Sequence, residues 1–111
     1  MTTITHIVSF RYHSSTSDAA KHLVGSSFLA LQDQCRHPES GEPYLTVTGG
    51  RNDSPEGLAK GFEHAWVVTF VSEQDRAYYL DQDPAHQKFK ELATAQGVEE
   101  AFVFDFTQGV F

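Results

Sequence analysis

His64-Ala65-Trp66-Val67-Val68-Thr69-Phe70-Val71 alternates with a period of two, placing His64, Trp66, Val68 and Phe70 on one side and Ala65, Val67, Thr69 and Val71 on the other. That period belongs to a strand. Because both sides are largely apolar, it predicts a strand covered on both. Upstream, Tyr44 to Thr48 is rich in aromatic and β-branched residues and predicts a second strand, which Gly49-Gly50 should end. Arg51 to Phe62, with Asn52, Asp53, Ser54 and Pro55, reads as a surface loop joining the two.

Downstream, Ser72-Glu73-Gln74-Asp75 has the spacing of a helix-capping box and predicts a short helix through Ala77, Tyr78, Tyr79 and Leu80. Asp83-Pro84 restarts a helix, with Asp83 as cap and Pro84 at the first helical position, where its missing N–H costs nothing. His86, Phe89 and Ala93 share one face of it, Leu92 lies beside them, and Gly97 closes it. A last strand, Ala101 to Phe106, sets Phe102, Phe104 and Phe106 on one side and Ala101, Val103 and Asp105 on the other. At the other end of the chain, Thr5 to Tyr12 alternates His6, Val8, Phe10 and Tyr12 against Ile7, Ser9 and Arg11. Ser14 to Asp18 then offers caps for a helix from about Asp18 to Cys35, with Val24, Phe28, Leu31 and Cys35 at helical spacing.

The order is strand, helix, strand, strand, helix, helix, strand. This is the α+β, ferredoxin-like split β-α-β pattern, with an antiparallel four-stranded sheet and helices on one face. An opposite face carrying Ile7, Ala65, Val67, Val71 and Val103 is too apolar for water, and two copies packed sheet to sheet would cover it.

Composition narrows the function. The length of 111 residues suits one domain, 1–111, and 40% hydrophobic against 21% charged residues suits a folded one. Eight Lys and Arg against fifteen Asp and Glu, with the cations scattered and a net charge of −7, argue against a nucleic-acid partner. No run approaches the roughly 20 apolar residues of a membrane span. The single cysteine, Cys35, fits a reducing, cytoplasmic setting. Asp81, Asp83 and His86 lack the glycine and distal glutamate of a calcium loop, so no metal site is expected.

Several stretches together resemble the stress-responsive dimeric α/β barrel family. They are Thr5-His6-Ile7-Val8-Ser9-Phe10, Gly49 to Glu56, Gly61-Phe62-Glu63-His64-Ala65, Tyr79-Leu80 before Asp83-Pro84-Ala85-His86-Gln87-Lys88-Phe89, and Val103-Phe104-Asp105-Phe106. The resemblance implies a homodimer whose two sheets form a barrel. Members include a plant hydroxynitrile lyase and a plant polyketide cyclase, and the cyclase uses no metal or organic cofactor. It also implies a site in a pocket between sheet and helices. His86 matches the cyclase histidine directly, Tyr79 matches its tyrosine if one residue is inserted in Asp81-Gln82-Asp83, Tyr78 is the substitute, and His6 and His64 match pocket-lining histidines of the first and third strands.

Acid–base chemistry on carbon needs a base and a donor for the developing oxyanion. His86, at a helix start and beside Phe89, is expected to be a neutral base, with Tyr79 as the donor and His6 and His64 orienting the substrate or His86. Its position at the helix start also predicts that replacing it leaves folding intact. Phe10, Trp66, Phe89 and Phe104 are expected to line a pocket for a small, apolar, oxygenated substrate. The alternative is a non-catalytic stress-response dimer that binds a hydrophobic ligand or partner with structural histidines. An enzyme should bring His86, His64 and a tyrosine hydroxyl around one enclosed cavity.

Overall fold

The computed structural model describes residues 3–111. The chain runs β1 (Ile4–Tyr12), α1 (Asp18–Leu29), α2 (Leu31–Gln34), β2 (Leu45–Arg51), β3 (His64–Phe70), α3 (Glu73–Asp81), α4 (Pro84–Ala95) and β4 (Val98–Phe106). The strands form one antiparallel sheet in the order β2-β3-β1-β4, the split β-α-β arrangement, with the helices packed on one face.

The alternation seen in the sequence sorts the residues between two faces. Ile4, His6, Val8, Phe10 and Tyr12 of β1 and Trp66, Val68 and Phe70 of β3 are buried under the helices with Val24, Phe28, Leu31 and Phe89. The helix starts follow local chemistry. Ser17, Ser72 and Asp83 each accept a backbone N–H of the first turn, from Ala20, Asp75 and Ala85 respectively. The first long helix pauses at Ala30, which stays in the right-handed helical region, and ends at Gln34, so Cys35 is already extended.

Three expectations change. β2 does not stop at Gly49-Gly50 but runs through both to Arg51, pairing Gly49 with Trp66 and Gly50 with Ala65. The glycine is there because a Cβ on Gly49 would lie 2.3 Å from Trp66 Cδ1 and 2.6 Å from the Ala65 carbonyl oxygen. The indole uses the space of the missing side chain. β3 is covered on one face only, leaving Ala65 and Val67 exposed on the other. In β4 the register with β1 pairs Ile7 with Phe104 and Ser9 with Phe102, so the phenylalanines, Phe104 included, face the open side, while Val103 shares the helix face with Val8. Phe104 therefore lines no pocket beneath the helices.

Candidate active site

α3 ends at Asp81, so its last carbonyls lack helical donors. The N–H groups of Gln82 and Asp83 both go to Tyr78 O. Tyr79 O is instead taken by His86, whose Nδ1 lies 2.7 Å away, and Leu80 O by Gln87 Nε2 at 3.2 Å. A carbonyl only accepts, so His86 Nδ1 carries the proton and Nε2 carries the lone pair. The ring lies on the Tyr79 ring, centroids 3.7 Å apart and planes 14° apart. Burial is the main cause that pulls the His86 pKa down to about 4, and Lys90 and His6 add to it. The imidazole is therefore neutral at physiological pH.

His6 enters the same group from β1, with its ring 6.1 Å from that of Tyr79 and 5.9 Å from that of Phe70. Its Nδ1 is 2.5 Å from Asp105 Oδ1, and Asp105 Oδ2 accepts from Arg76 at 3.1 Å. Burial raises the Tyr79 phenol well above its usual value, so it stays a donor. Tyr79 OH, His6 Nε2 and His86 Nε2 have no hydrogen-bond partner among the described residues. No fully buried side-chain nitrogen or oxygen there is left unpaired, so each of the three keeps a contact with solvent although their residues are buried. Three elements thus gather the rings of His6, Tyr79 and His86 into one group.

Tyr78, the neighbouring alternative, turns elsewhere. Its ring packs 5.6 Å from that of Tyr44 and 6.5 Å from that of His37. Tyr44 donates to the buried Asp83 at 2.5 Å. Cys35 lies in that cluster, and burial followed by the Asp83 charge pushes its thiol up to about 12, an inert thiol.

His64 stands apart from His86. Along β3 it is four residues from Val68, the partner of His6, which is about 13 Å of strand. Its Nδ1 lies 2.7 Å from Tyr12 OH, and it lines an open cleft of about 710 Å³ with Lys21, Gly25, Gly49, Arg51 and Trp66. Burial lowers its pKa, with Lys21, Arg51 and His22 acting in the same direction against Glu63. Between the two histidine groups the space is filled by rings. Phe28 stacks on Trp66 at 4.3 Å, and Phe10 lies 4.9 Å from Trp66 and 6.2 Å from Phe89. Phe10, Trp66 and Phe89 thus pack on one another instead of bounding a single chamber that joins His64 to His86.

Asp105, Arg76 and Tyr12 were not singled out by the sequence reading. Asp105 had a signal, as the one charge in the run Ala101 to Phe106. Among the described residues no three His, Cys, Asp or Glu side chains lie close enough to share a metal ion. No helix among them is long and apolar enough to cross a membrane.

Comparison with known structures agrees with the architecture. A hydroxynitrile lyase from Passiflora edulis superposes with a TM-score of 0.80 at 24% identity, covering 99% of this chain and 97% of that one. A protein from Arabidopsis thaliana gives 0.78 at 20% identity, with 97% of each chain covered. A dimeric ferredoxin-like protein of unknown function from a Jannaschia species gives 0.71 at 20%, covering 94% and 97%. At these identities the likeness is one of fold. No curated protein sequence matches the chain. The model of the stress responsive A/B barrel domain matches residues 4–108, and the chain belongs to that family.

Proposed function

We propose that this protein is an acid–base enzyme for a small, largely apolar, oxygenated molecule, of cyclase or carbon–carbon lyase type, with His6, Tyr79 and His86 at its reacting centre. The observation that carries this reading is the gathering of the buried His6, Tyr79 and His86 side chains from three elements, with the hydroxyl and the two Nε2 atoms unpaired among the described residues. A histidine held neutral with its lone pair free is a general base, and a phenol held protonated is a donor for an oxyanion. In a cyanohydrin cleavage the base takes the hydroxyl proton, the carbonyl forms, and the carbon–carbon electron pair leaves with cyanide. In an aldol closure the base takes a C–H proton, the enolate carbon attacks a carbonyl, and the new alkoxide takes a proton from the phenol. The fold of a passion-fruit hydroxynitrile lyase lends support to the first.

A homodimer is part of the proposal. Ile7, Val67, Phe102, Phe104 and Phe106 leave the open sheet face apolar, with Phe102 at 51% and Phe104 at 54% exposure, and structural neighbours are described as dimeric. Such a face is covered most simply by a second copy. One observation favours the second reading, a non-catalytic dimer: the rings of Phe10, Phe28, Trp66 and Phe89 fill the interior between the histidine groups.

The experiment is turnover, read by mass spectrometry, on a panel of linear poly-β-ketones, aromatic acids and cyanohydrins, with wild type beside His86→Gln and Tyr79→Phe. Turnover that falls about a hundredfold or more in His86→Gln is the expected result. Binding to panel members without turnover, or turnover that both variants retain, overturns the enzyme reading in favour of the binding dimer.

A further inference from the structure

The only charged side chain of the run Ala101 to Phe106 is Asp105, and it turns inward from an edge strand. The register of β4 on β1 places Asp105 directly across from His6, on the face that the helices cover. A slip of one residue would set a phenylalanine there and turn the carboxylate to the open face. Arg76 reaches out from α3 to the second carboxylate oxygen. Three elements thus meet in one chain of hydrogen bonds: Arg76, Asp105, His6.

We infer that Asp105, clamped by Arg76, is a positioning residue that decides which ring nitrogen of His6 carries the proton. An ionised carboxylate only accepts hydrogen bonds, so the nitrogen that faces it, Nδ1, bears the hydrogen. The lone pair is then on Nε2, across the ring from Asp105 and without a protein partner among the described residues. Without the carboxylate the other tautomer is free to form, and it presents an N–H where a base needs a lone pair. Arg76 has its own part. Among the described residues β4 has no neighbour on its outer side, so nothing in the sheet stops the carboxylate from swinging to water, and the guanidinium holds it by the oxygen that His6 does not use. The groups around His6 are Asp105 from β4, Arg76 and Tyr79 from α3, Phe70 at the end of β3, and His86 from α4.

This inference rests on reading His6 as an acid–base group, but its test needs no substrate. In the 15N-labelled full chain at alkaline pH, long-range proton–nitrogen correlations report the tautomer of each histidine, and loss of one set of signals in His6→Gln assigns His6. The expected result is a single Nδ1–H form in wild type, conversion to the Nε2–H form or a mixture in Asp105→Asn, a mixture in Arg76→Gln, and recovery in Arg76→Lys. Should Asp105→Asn fail to fold, the Arg76 variants decide alone. An Nε2–H form in wild type, or a tautomer that these substitutions leave unchanged, overturns the inference. A tautomer that responds as stated, in a protein that turns over no member of the panel, upholds it while removing the enzyme reading. Where a panel member is turned over, Asp105→Asn should lower kcat about tenfold or more with KM little changed.

Discussion

The imidazole of His86 is bound twice to one residue, Tyr79: face to face with its ring at 3.7 Å and by Nδ1–H to its carbonyl at 2.7 Å. The pair pins the start of α4 to the end of α3. This corrects the expectation that replacing His86 leaves folding untouched. His86→Ala removes the only partner that a carbonyl at a helix end has among the described residues and leaves a ring-sized void, a loss of about 2–4 kcal/mol. Urea unfolding should show a lower midpoint with an unchanged slope, and a shift worth less than about 0.5 kcal/mol would contradict the pinning role.

Tyr79→Phe is expected to separate stability from chemistry. The hydroxyl has no protein partner among the described residues, so its loss should change unfolding free energy by no more than about 0.5 kcal/mol. The same variant should lose about tenfold or more in turnover of whichever panel member the wild type accepts. A large drop in stability would mean that the hydroxyl is anchored inside the protein.

Acid should unfold the protein in a way that depends on His86. Its folded pKa of about 4 lies below the ordinary histidine value of 6.5, so between these values the unfolded chain binds a proton that the folded one refuses. The contribution is fully present above about pH 6.5 and disappears as pH falls to about 4, on the order of 3 kcal/mol. In His86→Phe the loss of stability between about pH 7 and about pH 4.5 should be smaller than in wild type, measured by urea unfolding at both. Equal losses would show that His86 is readily protonated in the fold.

Adjacent glycines in β2 should respond oppositely to a methyl group. Gly49→Ala drives a Cβ into the Trp66 indole and the Ala65 carbonyl, whereas a Cβ on Gly50 meets nothing within 4 Å. Thermal unfolding should place Gly49→Ala about 1–3 kcal/mol or more below wild type and Gly50→Ala close to it. Similar behaviour of the two would remove the account of why β2 passes through Gly49.

A charge on the open face should test the dimer. Phe104→Asp is expected to give a monomer in sedimentation with an unchanged far-ultraviolet circular dichroism spectrum. Wild type that sediments as a monomer would overturn the sheet-to-sheet arrangement.

Much of this fold is legible because the deciding signals are local. Ser72 and Asp83 accept the N–H groups that their positions require, and the alternation in β1 and β3 falls on the strands it marks. What could not be read depends on neighbours distant in sequence. Gly49-Gly50 looks like a strand end until Trp66 is seen lying over it. The two sides of β4 are both apolar enough to go inward, and only the register with β1 chooses between them. At the site, Tyr79 and Tyr78 are equivalent by type, and it is the α3–α4 turn that brings Tyr79 under His86. The separation of His64 from His6 follows from counting residues along paired strands, and the clamp of Arg76 on Asp105 bridges 29 positions.

Of the four strands of the sheet, the first in the chain is hydrogen-bonded to the last: β1 lies between β3 and β4, and His6 meets Asp105 across 99 positions of chain. During synthesis β1 can gain a partner on one flank when β3 emerges, but its other flank stays open until β4 is complete. Sheet closure therefore waits on β4 and is governed by a long loop closure. In that interval His6 has no carboxylate beside it, and β1 exposes a free edge for other nascent chains to pair with.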